Sequence, residues 1–447
     1  MPRFIGDVQP DNSIIWSFEP DVVAEPIPEP IPEPTPDPVP TGECDVALIE
    51  GKDISAIPVM TKPDKGIKYN DLVYGTCITR LSDHVADGKT YIRNDYARRD
   101  SFNADSSKFL TYTGGGDWAV YDRGTLAEWG ALPLAGDAEP QWHPTNPYLL
   151  YYLPNNGGLV INQIELATGS ISVAVDFAQL AGGTSILDTF PTAGRVWTRS
   201  EGSSSADGRY WAFQVETSGF DPLGLITYDI QTNTIVGVYN FADHGNVSRP
   251  NNISMSPSGQ YAVCGWGSSS GCTSPNAGTY DSPCGVMVFD QTLSAGYSIS
   301  QRAEHMDIGL DAAGDDVLVI SNYASGWLES INLTTKVITQ LFSLYEQGGK
   351  TSMHISCKNY DRQGWALIST YASTVTDGWF NDKIMLVELT DNPRILNLAH
   401  TQNITTTYFN EVHGAINRAG DKAVFNSNWQ SSDIDVDVYE IIIPKVL

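Results

Sequence analysis

The sequence predicts an all-β chain, a seven-bladed β-propeller with an N-terminal extension and a Pro-rich linker, on three observations. A tight polar turn recurs seven times from about residue 70 onward. A strand rich in β-branched and aromatic residues leaves each turn, as a buried strand requires. The units are spaced roughly 40–60 residues apart, the period of four-stranded blades with variable loops. In order, the turns are Asn103-Ala-Asp-Ser-Ser-Lys, His143-Pro-Thr-Asn-Pro, Ser205-Ala-Asp-Gly, Ser256-Pro-Ser-Gly, Asp311-Ala-Ala-Gly, Asn359-Tyr-Asp-Arg-Gln-Gly and Asn417-Arg-Ala-Gly. The strands leaving them read FLTY, YLLYY, YWAFQV, YAVCGW, DVLVIS, WALISTY and AVFNSNW, and a third strand follows in every unit, from WAVYD to DVYEIII.

Six units continue into a fourth, outer strand (TLAEWGAL, SISVAVDF, TIVGVYNF, GYSISQ, KVITQLF and RILNLA), whereas the seventh runs into the C-terminus without one. A ring with a broken edge is closed economically by a strand from the other end of the chain. Residues 77–82, Cys-Ile-Thr-Arg-Leu-Ser, stand just before the first unit and are the expected donor. A β-sandwich or β-helix would not place a hairpin turn at a fixed point in seven three-strand units, so the propeller is expected over residues 44–447.

Ahead of it, residues 25–43 form a Pro/Glu-rich linker, EPIPEPIPEPTPDPVP in its first part. That composition favours a semi-rigid polyproline II spacer. Residues 1–24 hold one short apolar stretch around Ile14, Ile15, Trp16 and Phe18. It is too small for a core of its own and reads as an anchor that docks on a larger protein assembly.

The net charge of −27 at pH 7 argues against nucleic acid and anionic membrane surfaces as partners. No apolar run approaches the ~20 residues that span a bilayer, and no Sec signal is visible at the N-terminus. Six cysteines lack CxxC spacing, which disfavours a zinc knuckle; Cys272 and Cys284 bracket a Ser/Gly/Pro loop and would pair in an oxidising compartment. The sequons at Asn246, Asn252, Asn332 and Asn403 would matter only in a eukaryotic secretory pathway.

The turns Ser256-Pro-Ser-Gly-Gln-Tyr-Ala-Val and Ser205-Ala-Asp-Gly-Arg-Tyr-Trp-Ala-Phe resemble the S-P-D-G-x-x-x-A-F hairpin of TolB-like propellers. The resemblance covers residues 70–447 at blade level and implies architecture only.

In a propeller the innermost strands line the channel, so equivalent positions before the turns meet near one mouth. Four residues before each turn stand Arg99, Glu139, Glu201, Asn252, Asp307, His354 and His413, with a shift assumed in the sixth blade. Two positions further back stand Arg199, His305 and Glu411, with Arg98, Arg249 and Glu304 adjacent. Carboxylate plus imidazole suits a divalent ion (Zn, Mn or Ca), with Asp307, His354, His413 and His305 as ligands; hydrogen-bonded polar residues lining a wet channel are the alternative. The same mouth resembles that of propeller polysaccharide lyases of the oligogalacturonate and ulvan type. That resemblance is one of chemistry type and implies Arg99 and Arg249 as carboxylate clamps, His354 or His413 as base and Tyr96 as acid; from the aligned positions, Glu139, Glu201, Asn252, Glu304 and Glu411 are expected to contact substrate. Trp118, Trp197, Trp266, Trp327, Trp379 and Trp429 pack blades or stack on sugars. His84, His143, His244 and His400 read as structural or solvent-facing.

Two functions follow as expectations. The first is a surface-displayed module that binds a glycan or host receptor, anchored through residues 1–24 in the manner of a virion tail fibre or receptor-binding protein, and therefore virion-borne or extracellular. The second is a polysaccharide lyase or other depolymerase acting on an acidic uronate polysaccharide.

Overall fold

The structure is a computed structural model and describes residues 4–8, 14–18, 44, 46–199, 201–245, 247–266, 272–274, 276–346, 351–373, 378–431 and 435–445. The chain divides into two compact units, Met1–Thr41 and Gly42–Leu447. In the first, Phe4–Val8 and Ile14–Phe18 pair antiparallel, with Phe4 opposite Phe18 and Val8 opposite Ile14. The apolar stretch singled out in the sequence is thus one strand of a hairpin. The linker and Asn246 lie outside the described residues.

The second unit is a seven-bladed β-propeller of seven antiparallel sheets. Its innermost strands are Ile92–Arg93, Gln141–Trp142, Ala193–Trp197, Asn252–Met255, Met306–Leu310, Ser352–Ser356 and Ala415–Ile416. Each blade buries both faces against its neighbours, which is why its middle strands read as near-continuous apolar runs. Asp316–Asn322 illustrates the two-residue period. Val317 and Val319 pack with Met353, Ile355 and Ile368 of the sixth blade, while Leu318 and Ile320 pack with Val263, Val286 and Val288 of the fourth.

The hairpin turns form a staircase on one face of the ring. Gly208 in the third blade has φ 75°, a conformation that costs most residues strain, and a Cβ there would stand 2.8 Å from Pro144 in the preceding turn. Gly420 at φ 67° meets Arg362 of the sixth blade in the same way.

Closure uses the N-terminal side of the propeller unit. Cys77–Arg80 pairs with Asp437–Ile442 as the fourth strand of blade seven, Ile78 opposite Ile441. Lys68–Asn70 then adds a fifth strand, and Ile49–Glu50 adds a fifth strand to blade six. These two edge-covering strands have no counterpart in the repeat pattern. Cys272 and Cys284 are disulfide-bonded, and so are Cys44 and Cys77, a pair the spacing did not suggest. The second bridge ties the start of the unit to its closing strand. Five of the six tryptophans weighed as sugar platforms are buried between blades; Trp327 is half-buried.

Candidate functional site

The candidate site lies at the mouth where the innermost strands begin, opposite the hairpin turns. A cavity of about 470 Å³ opens there, lined among others by Tyr96, Arg98, Asn252, Glu304, His305 and Tyr323. His305 of blade five lines it, and the buried His354 of blade six and His413 of blade seven continue the cluster behind it. The His305 and His354 rings are 4.6 Å apart, and His354 stacks on His413 at 4.0 Å. Glu411 joins them: its Oε2 lies 2.8 Å from His354 Nε2 and 3.7 Å from His413 Nε2. The ring of Tyr371 stacks on His354 at 4.8 Å, and its hydroxyl is hydrogen-bonded to Glu411. Tyr96 contacts both His354 and His413, at 5.2 and 4.9 Å.

Burial governs the electrostatics. Desolvation, with Arg98 and Arg93 nearby, holds the His354 imidazole down at about 3. Burial and the adjacent His354 hold His305 at about 3 as well, and His413 falls well below its ordinary value for the same reasons. All three rings are therefore neutral near pH 7, the form that ligates a metal or accepts a proton. The Glu411 carboxyl is raised by burial despite the neighbouring His305.

Ligand atoms of His354, Glu411 and His413 all lie within 4.8 Å of one another, a set that fits one divalent ion. Three nitrogens of the cluster, His354 Nδ1 and both ring nitrogens of His413, are among the buried polar atoms that have no hydrogen-bond partner in the described residues. Such orphans cost about 1–3 kcal/mol each. His413 also holds φ at 42°, a left-handed conformation of similar cost that persists where surrounding structure enforces it.

The expected ring is only partly assembled. Asp307 stands apart from the metal set: its carboxylate accepts from the Cys357 backbone N–H at 2.7 Å and pairs with Lys358 at 2.9 Å. Glu411, expected to contact substrate, takes its place. Arg99 is bound to Asp95 and to the Pro140 carbonyl. It lines a separate, small cavity among the hairpin turns with Lys358 and Arg418. Arg249 forms a two-pronged pair with Glu216. Neither arginine faces the histidines, whereas Arg98 does, pinned by Glu201 at 2.7 Å and by the Asn252 side-chain carbonyl at 2.8 Å. Glu139 is a buried brace between blades, accepting from Thr198 and the Arg199 N–H; burial raises its carboxyl to about 7.

The reason Arg98 replaces Arg99 is local. The first innermost strand is only two residues long, and a turn closed by the Arg99 N–H on the Tyr96 carbonyl rotates the chain before Asn103. Counting back from Asn103 therefore loses phase. Tyr371 and Arg93 escaped sequence reasoning because they lie outside the aligned positions. Tyr371, ending the sixth WALISTY strand, carried a signal only in its place at a strand end.

No protein-family model matches the chain, and no curated protein matches its sequence. Among solved structures, an oligogalacturonate lyase from Vibrio parahaemolyticus superposes with a TM-score of 0.56 at 11% identity, covering 86% of this chain and 99% of its own. A β-propeller domain from Myceliophteria thermophila covers 78% of this chain and 98% of its own at 10% identity (TM-score 0.46). Hydrazine synthase of Kuenenia stuttgartiensis covers 79% and 97% at 12% identity (TM-score 0.45). At these identities the likeness concerns fold alone. The chain is a seven-bladed β-propeller, and its architecture resembles that of the oligogalacturonate lyase.

Proposed function

We propose that the propeller is a metal-assisted depolymerase of an acidic polysaccharide, cleaving next to a uronate by β-elimination. One observation carries this reading: a cavity lined by His305 and a fixed arginine, Arg98, adjoins a buried cluster of His354, Glu411 and His413 that can hold a metal ion. The Arg98 charge is already matched by Glu201, Glu304 lines the cavity, and Glu411 adds a carboxyl group in the adjoining cluster. An anionic sugar would therefore meet an unfavourable field unless a cation joined Glu411. His354, Glu411 and His413 would hold that ion, which when bound supplies positive charge against the enolate formed at the uronate carboxylate.

The remaining roles fall to this chain's own groups. Arg98 orients the carboxylate through its fixed guanidinium. His305, on the cavity wall, takes the C5 proton, since His354 and His413 are fully buried and serve as ligands. The C4–C5 double bond forms as O4 departs, and the Tyr96 phenol, held protonated by burial, gives its own proton to O4; the phenolate is then reprotonated from solvent, to which His305 releases the C5 proton. The fold shared with an oligogalacturonate lyase supports the choice of reaction. Pectate, alginate and ulvan are incubated with the protein and Mn²⁺, Zn²⁺ or Ca²⁺, and far-ultraviolet absorbance of the unsaturated product is followed. A metal-dependent rise is expected with at least one polymer; no rise with any of them overturns the reading.

A second reading adds display on a larger assembly, of the virion-fibre or receptor-binding kind. Its support is that residues 1–41 are a compact unit of their own containing a hairpin. The two disulfides suit an oxidising, extracellular location. If it holds, deletion of residues 1–24 abolishes co-sedimentation with particles while leaving cleavage intact.

A further inference from the structure

One loop beside the histidines turns aromatic rings into solvent. Tyr408 and Phe409 are 47% and 49% exposed, although large rings are usually buried. Their rings meet edge to face at 5.8 Å, and Tyr91 of the first blade lies 5.9 Å from Phe409. The platform is rigid. The Asn410 side chain accepts from the N–H groups of Thr406 and Thr407 and donates to the Ile404 carbonyl, locking the turn that carries both rings. The Arg93 guanidinium lies 5.1 Å from the Tyr408 ring and 5.6 Å from that of Phe409, and donates to the Tyr408 carbonyl. Little conformational entropy is left to lose when a ligand settles on such a surface.

Its position selects the occupant. The Tyr408 ring stands edge-on 5.3 Å from His413, so the platform is continuous with the histidine cluster. A chain whose reacting unit sits over the cluster must pass its neighbouring units along an adjoining surface. The CH-rich faces of pyranose rings pack against flat aromatic faces, burying apolar area while their hydroxyls stay in water.

We propose that Tyr91, Tyr408 and Phe409 form a sugar-stacking subsite that holds units of a polysaccharide adjacent to the one at the histidine cluster. This rests on the depolymerase reading and sharpens it, because it makes the ligand an extended chain.

The test uses full-length protein with Mn²⁺ and isothermal titration of two-unit and six-unit oligogalacturonate and alginate, plus neutral cellohexaose and xylohexaose. Phe409→Ala and Tyr91→Ala are compared with wild type, with thermal melts and Mn²⁺ titration confirming fold and metal site. Expected is a loss of about tenfold in hexasaccharide affinity and less than about twofold for the dimer, with the metal titration unchanged. Unchanged hexasaccharide affinity in both folded variants overturns the subsite, as does equal weakening of dimer and hexamer. Wild type that binds neutral hexamers but no uronate sinks the acidic-substrate reading and leaves the platform standing. Failure to bind any hexasaccharide, or a wild-type dimer in solution that the variants lose, overturns the platform.

Discussion

Two clusters of histidine and carboxylate in this propeller are built from the same side chains and end in opposite states. At the closure seam, the fully buried Asp437 carboxylate receives Arg80 at 2.8 Å, Lys62 at 3.0 Å and His84 at 3.2 Å, with Ser82 donating to its other oxygen. At the mouth, Glu411 receives His354 and the Tyr371 hydroxyl, while His413 Nε2 stands off at 3.7 Å. The seam brings two cations of its own, Arg80 and Lys62, to its buried carboxylate, with Asp435 and Asp83 alongside. Among the described residues the mouth brings no cation within ion-pair distance of Glu411, only neutral rings with orphaned nitrogens and strained backbone at His413. Complete clusters hold a fold together, and incomplete ones are where a ligand finishes the structure.

The sharpest way to break the contrast is Asp437→Ala. Removing the shared carboxylate strands buried cations, so a loss of about 3–5 kcal/mol is expected in denaturant unfolding. Glu411→Gln should cost far less stability. If the two cost the same, the distinction between the clusters is lost.

Next in size is His413→Ala. Metal affinity should fall at least about a hundredfold by titration, with the melting temperature changed little, because the packing lost with the ring is offset by removing its unpartnered nitrogens, the φ of 42° being kept. A large fall in melting temperature would make the mouth a structural cluster like the seam. Opening the Cys44–Cys77 bridge by Cys44→Ser with Cys77→Ser should cost about 2–4 kcal/mol, since it releases a loop spanning 33 positions. Hydrogen exchange should then rise over Ile49–Glu50 and Lys68–Asn70 and not at the mouth.

The smallest effect is in pH. Burial tends to raise the Asp437 carboxyl, but His84, Lys62 and Arg80 outweigh it and hold it at about 2, against 3.8 ordinarily. A depressed acid stabilises the fold above its unfolded value and loses that contribution as pH falls through the folded one. Unfolding free energy should therefore drop between about pH 4 and 2. Asp437→Asn should flatten that slope, and an unaltered slope would assign acid sensitivity elsewhere.

The blade pattern was legible because it is written locally: a turn residue, then a strand whose every position is buried by one neighbour or the other. Val317 to Ile320 serve two interfaces at once and leave no room for a polar residue. The histidines were legible for a related reason, since His354 and His413 lie on innermost strands or just before them, at countable distances from the turns. Asp307 and Arg99 stood at the same counts, yet Lys358 claims the first and Asp95 the second. No count reveals a partner 51 positions away, as Lys358 is from Asp307.

The sequence by itself determined that there would be seven blades, that an N-terminal strand would close the ring, and that histidines of late blades would share a mouth, because turn chemistry and strand periodicity repeat along the chain. Only the tertiary structure decided which carboxylates are spent on cations, as Asp307 and Asp437 are, and which face neutral histidines, as Glu411 does. That outcome depends on distances across blades, where a change of an ångström separates an ion pair from an orphan.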